Sequence, residues 1–136
     1  METTLVLLKP DAVRRNLTAE IIGRFERRSF RFRGIRLLQL DRATAETHYA
    51  EHKERPFFGE LVDFITSGPI VALALEGPNA VATVRDMIGK TNPLESAPGT
   101  IRGDLALVLS ENIIHGSDSP ESAERELGIF FADGLL

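Results

Sequence analysis

Runs of consecutive apolar residues occur at four places along the 136-residue chain. Such runs are typical of strands that a sheet buries on both faces. They predict strands at residues 4–8 (TLVLL), within Gly34–Leu40, at residues 70–75 (IVALAL) and at residues 105–109 (LALVL).

Apolar residues at helical spacing, placed between capping and breaking residues, predict five helices between and after these strands. They are predicted to begin at Thr18, at Thr44, near Phe58, after Gly77-Pro78 and at Ser119-Pro120. In the fourth helix, Val81, Val84 and Ile88 face inward and Gly89 ends the helix.

The resulting element order is β-α-β-α-α-β-α-β-α. Four strands with interleaved helices predict an α+β, ferredoxin-like sandwich, in which helices cover a four-stranded antiparallel sheet. The two helices between the second and third strands form an inserted pair. A chain of this length fits a single domain that spans residues 1–136.

Composition narrows the functional classes. The chain is 43% hydrophobic and 26% charged, as in ordinary soluble globular proteins. It has no cysteine for disulfides or thiolate chemistry. The first apolar run is too short for a signal peptide or a membrane span, so a cytoplasmic protein is expected. A net charge of −4 argues against bulk nucleic-acid binding.

Two short motifs suggest chemistry that their context does not support. Gly89-Lys90-Thr91 resembles the end of a phosphate-binding P-loop, but Val84 stands where the first glycine should be, and the tripeptide follows a helix. The pentapeptide His48–His52 matches the H-x-x-E-H pattern of a zinc peptidase. A polar helix face is the better interpretation of that match, because such peptidases are normally far larger.

The basic residues are 13 arginines and only 3 lysines, and arginine forms forked contacts with phosphates and carboxylates. Between residues 24 and 36, six arginines alternate with phenylalanines, which resembles a nucleic-acid patch. The favoured alternative is a solvated helix end and strand edge whose phenylalanines point into the core.

His115 lies in a polar turn after the predicted fourth strand, where a loop can expose it to a ligand. Ser119 or Asp118 caps the helix that follows, and the positive end of that helix favours anions. At 100° per residue, Glu126 lies about 60° from the centre of the apolar stripe of that helix, so its carboxylate faces inward and could orient a histidine.

Cationic and neutral donors stand at other strand and loop ends. A histidine nucleophile, cationic clamps and an aromatic platform are what phosphoryl transfer from a nucleotide requires. Spacing alone does not select these residues from the other arginines of the chain. The candidates are Lys9, Arg85, Arg102, Thr91, Asn112 and the aromatic Phe57.

Six segments together resemble the nucleoside diphosphate kinase family, in order and over nearly the whole chain. They are TLVLLKPDAVRR, HYAEHKERPFF, FITSGPIVALALEG, GKTNP, PGTIRGD and NIIHGSDS, the last matching the family's active-site signature in full. Ala12 departs from the glycine that is commonest there, and the tail after Phe131 is short.

The resemblance implies transfer of the γ-phosphate from a nucleoside triphosphate, mainly ATP, to a nucleoside diphosphate, through a phosphohistidine and with Mg²⁺ carried by the nucleotide. It also implies a homo-oligomer, with a hexamer favoured over a tetramer. From the apolar pattern and the net charge, no membrane partner is expected and a nucleic-acid partner is disfavoured. The implied roles are His115 as nucleophile, Glu126 as its orienting partner, Lys9, Arg85, Thr91 and Arg102 on phosphates, Asn112 with Lys9 on ribose, Phe57 under the base, and Tyr49 and Ser117 in support. No metal ligands are implied among the side chains.

The alternative hypothesis is a non-catalytic ferredoxin-like module that binds a nucleotide or a nucleic acid. Its best feature is the arginine-rich segment at residues 24–36. The intact His115, Glu126 and Arg102 argue against it.

Overall fold

A computed structural model describes residues 1–136. The strands are β1 (Glu2–Leu8), β2 (Arg31–Leu38), β3 (Ile70–Gly77) and β4 (Ile114–Gly116). The helices are α1 (Pro10–Arg14), α2 (Thr18–Arg27), α3 (Arg42–His48), α4 (Phe58–Ile65), α5 (Ala80–Ile88), α6 (Ile101–Leu105) and α7 (Pro120–Phe130). Single 3₁₀ turns lie at Ala50–His52, Pro93–Glu95 and Leu109–Glu111.

The four strands form one sheet in the order β2-β3-β1-β4, and every neighbouring pair is antiparallel. This topology confirms the predicted ferredoxin-like α+β sandwich, with α3 and α4 as the inserted helical pair. The backbones of β1 and β3 pair on both edges, and helices cover both faces of the sheet, which explains the unbroken apolar runs at residues 5–8 of β1 and 70–75 of β3.

Alternation along β1 divides the core into two layers. Val6 and Leu8 face α2 and α5, whereas Leu5 and Leu7 face the layer formed by α3, α4 and α7. All four of these side chains are fully buried. None of the helices combines the length and the apolar character that a membrane crossing requires.

The predicted fourth strand at residues 105–109 is wrong. Leu105 ends α6, and the next residues form an irregular segment in which Leu107 is 68% and Leu109 is 56% exposed. The free edge of β1 pairs instead with Ile114–Gly116. His115 therefore lies within the last strand rather than after it.

Two other details differ from the sequence pattern, in which Lys9-Pro10-Asp11 indicates a turn after the first strand and Thr18 indicates an N-cap. Lys9-Pro10-Asp11 begins the short helix α1, with Pro10 in its first turn, where the missing amide proton has no helical partner in any case. Thr18 is the first residue of α2, and its side chain makes no capping bond. By contrast, the predicted starts of α4 and α7 are confirmed, and the Ser119 hydroxyl accepts a hydrogen bond from the Ser122 amide at 3.0 Å.

Candidate active site

A pocket of about 270 Å³ opens beside the end of β1, between α5, α7 and the segment that carries α6. Only 2 of its 15 lining residues are hydrophobic. Eight of the ten predicted site residues line it: Lys9, Tyr49, Arg85, Thr91, Arg102, Asn112, His115 and Glu126. A lining this rich in polar and charged groups suits a highly charged ligand.

His115 enters the pocket because of its register in β4. It pairs with Leu7, so its ring points to the same face of the sheet as Leu7, towards α3 and α7. Its neighbours Ile114 and Gly116 face the opposite layer, against α5. The His115 side chain is 23% exposed, so one side of the ring meets the pocket and the other meets the protein.

Glu126 holds the protein side of this ring. It is 3% exposed on the inner face of α7, and its Oε1 lies 2.9 Å from His115 Nε2. The Ser117 hydroxyl donates to the same oxygen at 2.8 Å. Burial alone would raise the pKa of Glu126, but the hydrogen bonds from His115 and Ser117 and the nearby imidazole hold that pKa below its usual value. Glu126 is therefore a carboxylate.

His48 packs against the nucleophile candidate from α3. The two ring centroids are 4.9 Å apart, at an interplanar angle of 86°. His48 is 3% exposed, and neither of its ring nitrogens has a hydrogen-bond partner. Burial, reinforced by His115, lowers the pKa of His48 to about 3, so this second imidazole is neutral.

Arg102 is almost fully buried, and its guanidinium donates only to backbone carbonyls. The acceptors are Asn112 O at 3.2 Å, Lys90 O at 3.2 Å and Ile114 O. Burial, followed by repulsion from Arg85, lowers the pKa of Arg102 to about 10. The side chain remains cationic at neutral pH, and no carboxylate neutralises it.

Lys9 and Asn112 form one hydrogen-bonded chain across the pocket. Lys9 Nζ donates to Asn112 Oδ1 at 2.9 Å, and Asn112 Nδ2 donates to Thr91 O at 3.0 Å. Desolvation in the pocket, with repulsion from Arg102, lowers the pKa of Lys9 to about 8 despite the opposing effect of Asp11. Arg85 lies nearby on α5 and donates to Gly116 O at 3.2 Å.

Phe57 lies at the mouth of the pocket rather than in its lining. It precedes α4, is 42% exposed, and its ring centroid lies 5.6 Å from that of His52, which does line the pocket. An exposed ring beside a polar cleft can stack against a planar ligand.

Gly116 brings β4 into close contact with α5. A methyl group on its α-carbon would lie 2.7 Å from Ile88 Cδ1. At the present distance between the strand that carries His115 and the helix that carries Arg85, a side chain at residue 116 would require the tip of Ile88 to move.

Comparison with known proteins identifies the family. The family profile described as nucleoside diphosphate kinase matches residues 2–135. The nucleoside diphosphate kinase of Deinococcus radiodurans is 60% identical over 136 residues, which cover 100% of this chain and 99% of that one. The chain belongs to the nucleoside diphosphate kinase family. It is therefore an enzyme that transfers phosphate between nucleotides.

Solved structures of nucleoside diphosphate kinases have the same fold. The family protein from Babesia bovis superposes with a TM-score of 0.97 at 42% identity, covering 100% of this chain and 93% of the other. The Halobacterium salinarum nucleoside diphosphate kinase, solved in complex with CDP, superposes with a TM-score of 0.96 at 44% identity, covering 99% and 91%.

Several residues that line this nucleoside diphosphate kinase pocket were not predicted from the sequence. They are His48, Glu51, His52 and Asp118. The first three belong to the pentapeptide His48–His52, which the family resemblance includes in the segment HYAEHKERPFF without a role for these three side chains. No group of three or more His, Cys, Asp or Glu side chains is arranged to hold a metal ion. The pentapeptide contributes to the wall of the nucleotide pocket instead.

Proposed function

We propose that the chain transfers the γ-phosphate of a nucleoside triphosphate, mainly ATP, to a nucleoside diphosphate by a ping-pong reaction through a phosphohistidine on His115. The observation that carries this proposal is the 2.9 Å contact between His115 Nε2 and Glu126 Oε1. A carboxylate can only accept a hydrogen bond, so Nε2 holds the ring proton and the lone pair lies on Nδ1.

In the first half-reaction, the Nδ1 lone pair attacks the γ-phosphorus and forms the N–P bond. The bond from that phosphorus to the β,γ-bridging oxygen breaks, and its electron pair leaves on the nucleoside diphosphate. The phosphorylated ring keeps its Nε2 proton and gains positive charge, which the Glu126 carboxylate stabilises. Imidazole is a competent nucleophile near neutral pH because its reference pKa is about 6.5.

In the second half-reaction, a terminal phosphate oxygen of the acceptor diphosphate attacks the same phosphorus. The N–P bond breaks, its electron pair returns to Nδ1, and the new triphosphate leaves. A covalent intermediate lets donor and acceptor occupy one site in turn.

The cationic residues would bind the phosphate chain. Lys9, Arg85, Arg102 and Thr91 are assigned to phosphates, since the three cations donate only to neutral oxygens in the free pocket. Asn112 and Lys9, already joined to each other, would contact the ribose hydroxyls. Phe57 would stack on the base, and a ring without base-edge hydrogen bonds accepts every base. Tyr49 would support the pocket wall and Ser117 the Glu126 carboxylate.

Mg²⁺ would enter on the phosphate oxygens of the substrate, because no side-chain cluster is arranged to bind it. Magnesium prefers oxygen ligands and commonly uses substrate phosphates with one or two carboxylates. Of the carboxylates in the pocket lining, Glu51 and Asp118 could meet it, since Glu126 is already engaged by His115 and Ser117. The ion would neutralise phosphate charge during transfer.

Incubation with γ-³²P-labelled ATP tests the proposal. The chain should take up an acid-labile, base-stable label on His115 and not on His48 or His52. An unlabelled nucleoside diphosphate should then remove the label as a triphosphate. His115→Ala should abolish labelling and turnover but leave nucleotide affinity largely intact, because the cations remain. Turnover by this variant near the wild-type rate would refute the nucleophile assignment.

The active unit that we propose is residues 1–136, assembled as a homo-oligomer in the cytoplasm, with a hexamer favoured over a tetramer. Strand β2 is an edge strand whose Ile35 and Leu37 are 56% and 71% exposed. Exposed apolar edges favour association. Sedimentation equilibrium of the purified chain measures the subunit number. A monomer at micromolar concentration would contradict this part of the proposal.

A further inference from the structure

The backbone just before the nucleophile adopts a rare conformation. Ile113 has a φ of 63°, in the left-handed region that β-branched residues avoid. The amide of Ile114 donates to Asn112 O at 2.8 Å, which closes a three-residue turn around Ile113. Three-residue turns with a positive central φ are rare and strained. This turn joins Asn112, which lines the pocket, to the strand that carries His115.

One side chain holds the strained residue directly. Asp11 Oδ2 accepts a hydrogen bond from the Ile113 amide at 3.0 Å. Asp11 is 2% exposed, and its other oxygen, Oδ1, has no partner. The Lys9 amide donates to the Ile113 carbonyl at 2.8 Å, so both backbone groups of Ile113 are fixed from the segment at the end of β1.

Neither the strain nor the unpaired oxygen favours folding. A buried carboxylate oxygen without a partner is unfavourable, and so is a β-branched residue at positive φ. A strained backbone conformation persists only where the surrounding contacts hold it in place, and such conformations concentrate at functional sites. If residue 113 relaxed to an extended conformation, the side chains that follow would change direction, and His115 would lose its alignment with Glu126.

We propose that Asp11 is a positioning residue for phosphoryl transfer: it fixes the turn at Ile113 and thereby sets where the His115 ring meets the incoming phosphate. Asp11 does not touch the substrate in this scheme, and it acts only through the chain that tethers His115. This inference rests on the proposed phosphohistidine mechanism.

The first test compares Asp11→Ala and Asp11→Asn by single-turnover labelling and nucleotide affinity. Asp11→Ala should slow phosphohistidine formation about 100-fold, the typical cost of moving a reacting group by about 1 Å. Its nucleotide affinity should stay within about threefold of that of Asp11→Asn, because both variants remove the same charge beside Lys9. Asp11→Asn keeps an acceptor for the Ile113 amide and should stay within about tenfold of the wild type, well above Asp11→Ala.

Asp41→Ala is the matched control. Asp41 also accepts a hydrogen bond from a backbone amide, that of Thr44 at 2.7 Å, but it caps α3 and does not line the pocket. Its replacement should leave the labelling rate unchanged. Equal losses in Asp41→Ala and Asp11→Ala would mean that the effect is general destabilisation, and the proposal would fall.

The second test removes the covalent link between the nucleophilic imidazole and strand β4. In a His115→Gly background, free imidazole supplied in the buffer can act as the nucleophile, and its position no longer depends on the strand. Adding Asp11→Ala to this background should change the imidazole-dependent rate less than about threefold, against the roughly 100-fold loss when the nucleophile is tethered. Should Asp11→Ala not fold, Asp11→Ser, whose hydroxyl ends one bond short of Oδ2, makes the same comparison.

Four results overturn the inference: an unchanged labelling rate in Asp11→Ala, an equal loss in Asp41→Ala, an equal loss with tethered histidine and free imidazole, or Asp11→Asn as slow as Asp11→Ala. Each leaves the phosphohistidine mechanism standing. Failure of that mechanism has a different signature, because the wild-type chain would then take up no label at all.

Discussion

Two groups of arginines and phenylalanines have similar composition but opposite properties. In the arginine-rich segment, residues 24–36, most of the charge is paired: Arg24 contacts Glu20 and Asp104, each at 2.8 Å, and Arg33 contacts Glu76 at 2.8 Å. In the pocket, Arg85 and Arg102 donate to backbone carbonyls, which leave their charge uncompensated.

The phenylalanines differ in the same way. Phe25 is fully buried, and the half-buried Phe30 packs against the core, edge-on to Phe25 at a centroid distance of 6.1 Å, so neither ring stands free as a platform. Phe57 offers one at the mouth of the pocket. A basic, aromatic composition therefore indicates an anion site only where the cations lack acidic partners and the rings lack core neighbours. Most of the arginine-rich segment differs from the pocket in both respects, which argues against its interpretation as a nucleic-acid patch.

The sharpest test of this contrast exchanges one arginine of each group for methionine. Arg102→Met should lower kcat/KM by about 10²–10³-fold, the range found when one preorganised donor is removed from a transition-state site. Arg24→Met should lower it less than about twofold, although it breaks two ion pairs. Steady-state kinetics on variants shown to be folded by circular dichroism decide the matter, and comparable losses would erase the distinction.

The next test concerns the Glu126 carboxylate, which in the proposed mechanism stabilises the positive charge that the His115 ring gains during transfer. Glu126→Gln keeps the size of the side chain but loses its charge, so phosphohistidine formation should slow about 10- to 100-fold, as expected for a lost charged hydrogen bond worth about 1.5–3 kcal/mol. Stopped-flow labelling measures this rate.

Glu124→Gln, on the exposed side of the same helix, is the control for that experiment. It should leave the rate unchanged. An unchanged rate in Glu126→Gln as well would reduce Glu126 to a structural residue.

Replacing a phenylalanine by alanine should reduce nucleotide affinity in the pocket and stability in the arginine-rich segment. Phe57→Ala should weaken nucleotide binding by about 2 kcal/mol, within the roughly 1–3 kcal/mol typical of one base stack, and similarly for purines and pyrimidines. Phe30→Ala should leave nucleotide affinity unchanged and lower the free energy of unfolding, because Phe30 packs against the core. Calorimetric titration and urea denaturation separate the two, and a purine-only loss in Phe57→Ala would mean that this ring reads base identity.

The burial of Lys9 in the pocket predicts that nucleotide affinity depends on pH. The pKa of Lys9 is lowered to about 8, so the ammonium loses its proton as the pH rises through 8, and the phosphates lose a partner. Nucleotide affinity should then fall by up to about tenfold per pH unit above 8. Lys9→Arg, which stays charged, should abolish this alkaline limb, and a limb of the same size in that variant would assign it to another group.

The smallest effect is expected at the periphery of the arginine-rich segment. The Arg31 side chain is 71% exposed and lies 3.8 Å from Glu76. Exposed ion pairs contribute about 0–1 kcal/mol, so Arg31→Ala should change the free energy of unfolding by less than about 0.5 kcal/mol. Affinity for single-stranded nucleic acid should be undetectable before and after the change. A large loss of nucleic-acid binding in this variant would revive the rejected interpretation.

Local patterns were sufficient for most of the fold. The inward position of Glu126 follows from helical geometry, and it is 3% exposed in the structure. The exception is the last strand, because the run LALVL has a stronger strand pattern than the three residues of β4. Which of the two segments becomes the last strand depends on which one pairs with the free edge of β1. This pairing joins residues far apart in sequence, so no local pattern predicts it.

The site was less accessible to such reasoning. The choice of Arg85 and Arg102 among 13 arginines depended on family resemblance, since compensation of charge is a property of neighbours distant in sequence. The left-handed Ile113 could not be anticipated, because isoleucine is among the residues least suited to that conformation. The clamp that enforces it, Asp11, is about 100 residues away in sequence.

Gly116 gives the pocket an adjustable width. The separation between the nucleophile strand and the helix of Arg85 is set by one absent carbon, against Ile88 Cδ1. The atom in the way is the tip of a flexible side chain, and Ile88→Val deletes that same methyl group. A paired Gly116→Ala and Ile88→Val exchange would thus keep the present spacing, whereas Gly116→Ala alone would widen it. These two positions give the protein engineer a way to admit bulkier phosphate analogues.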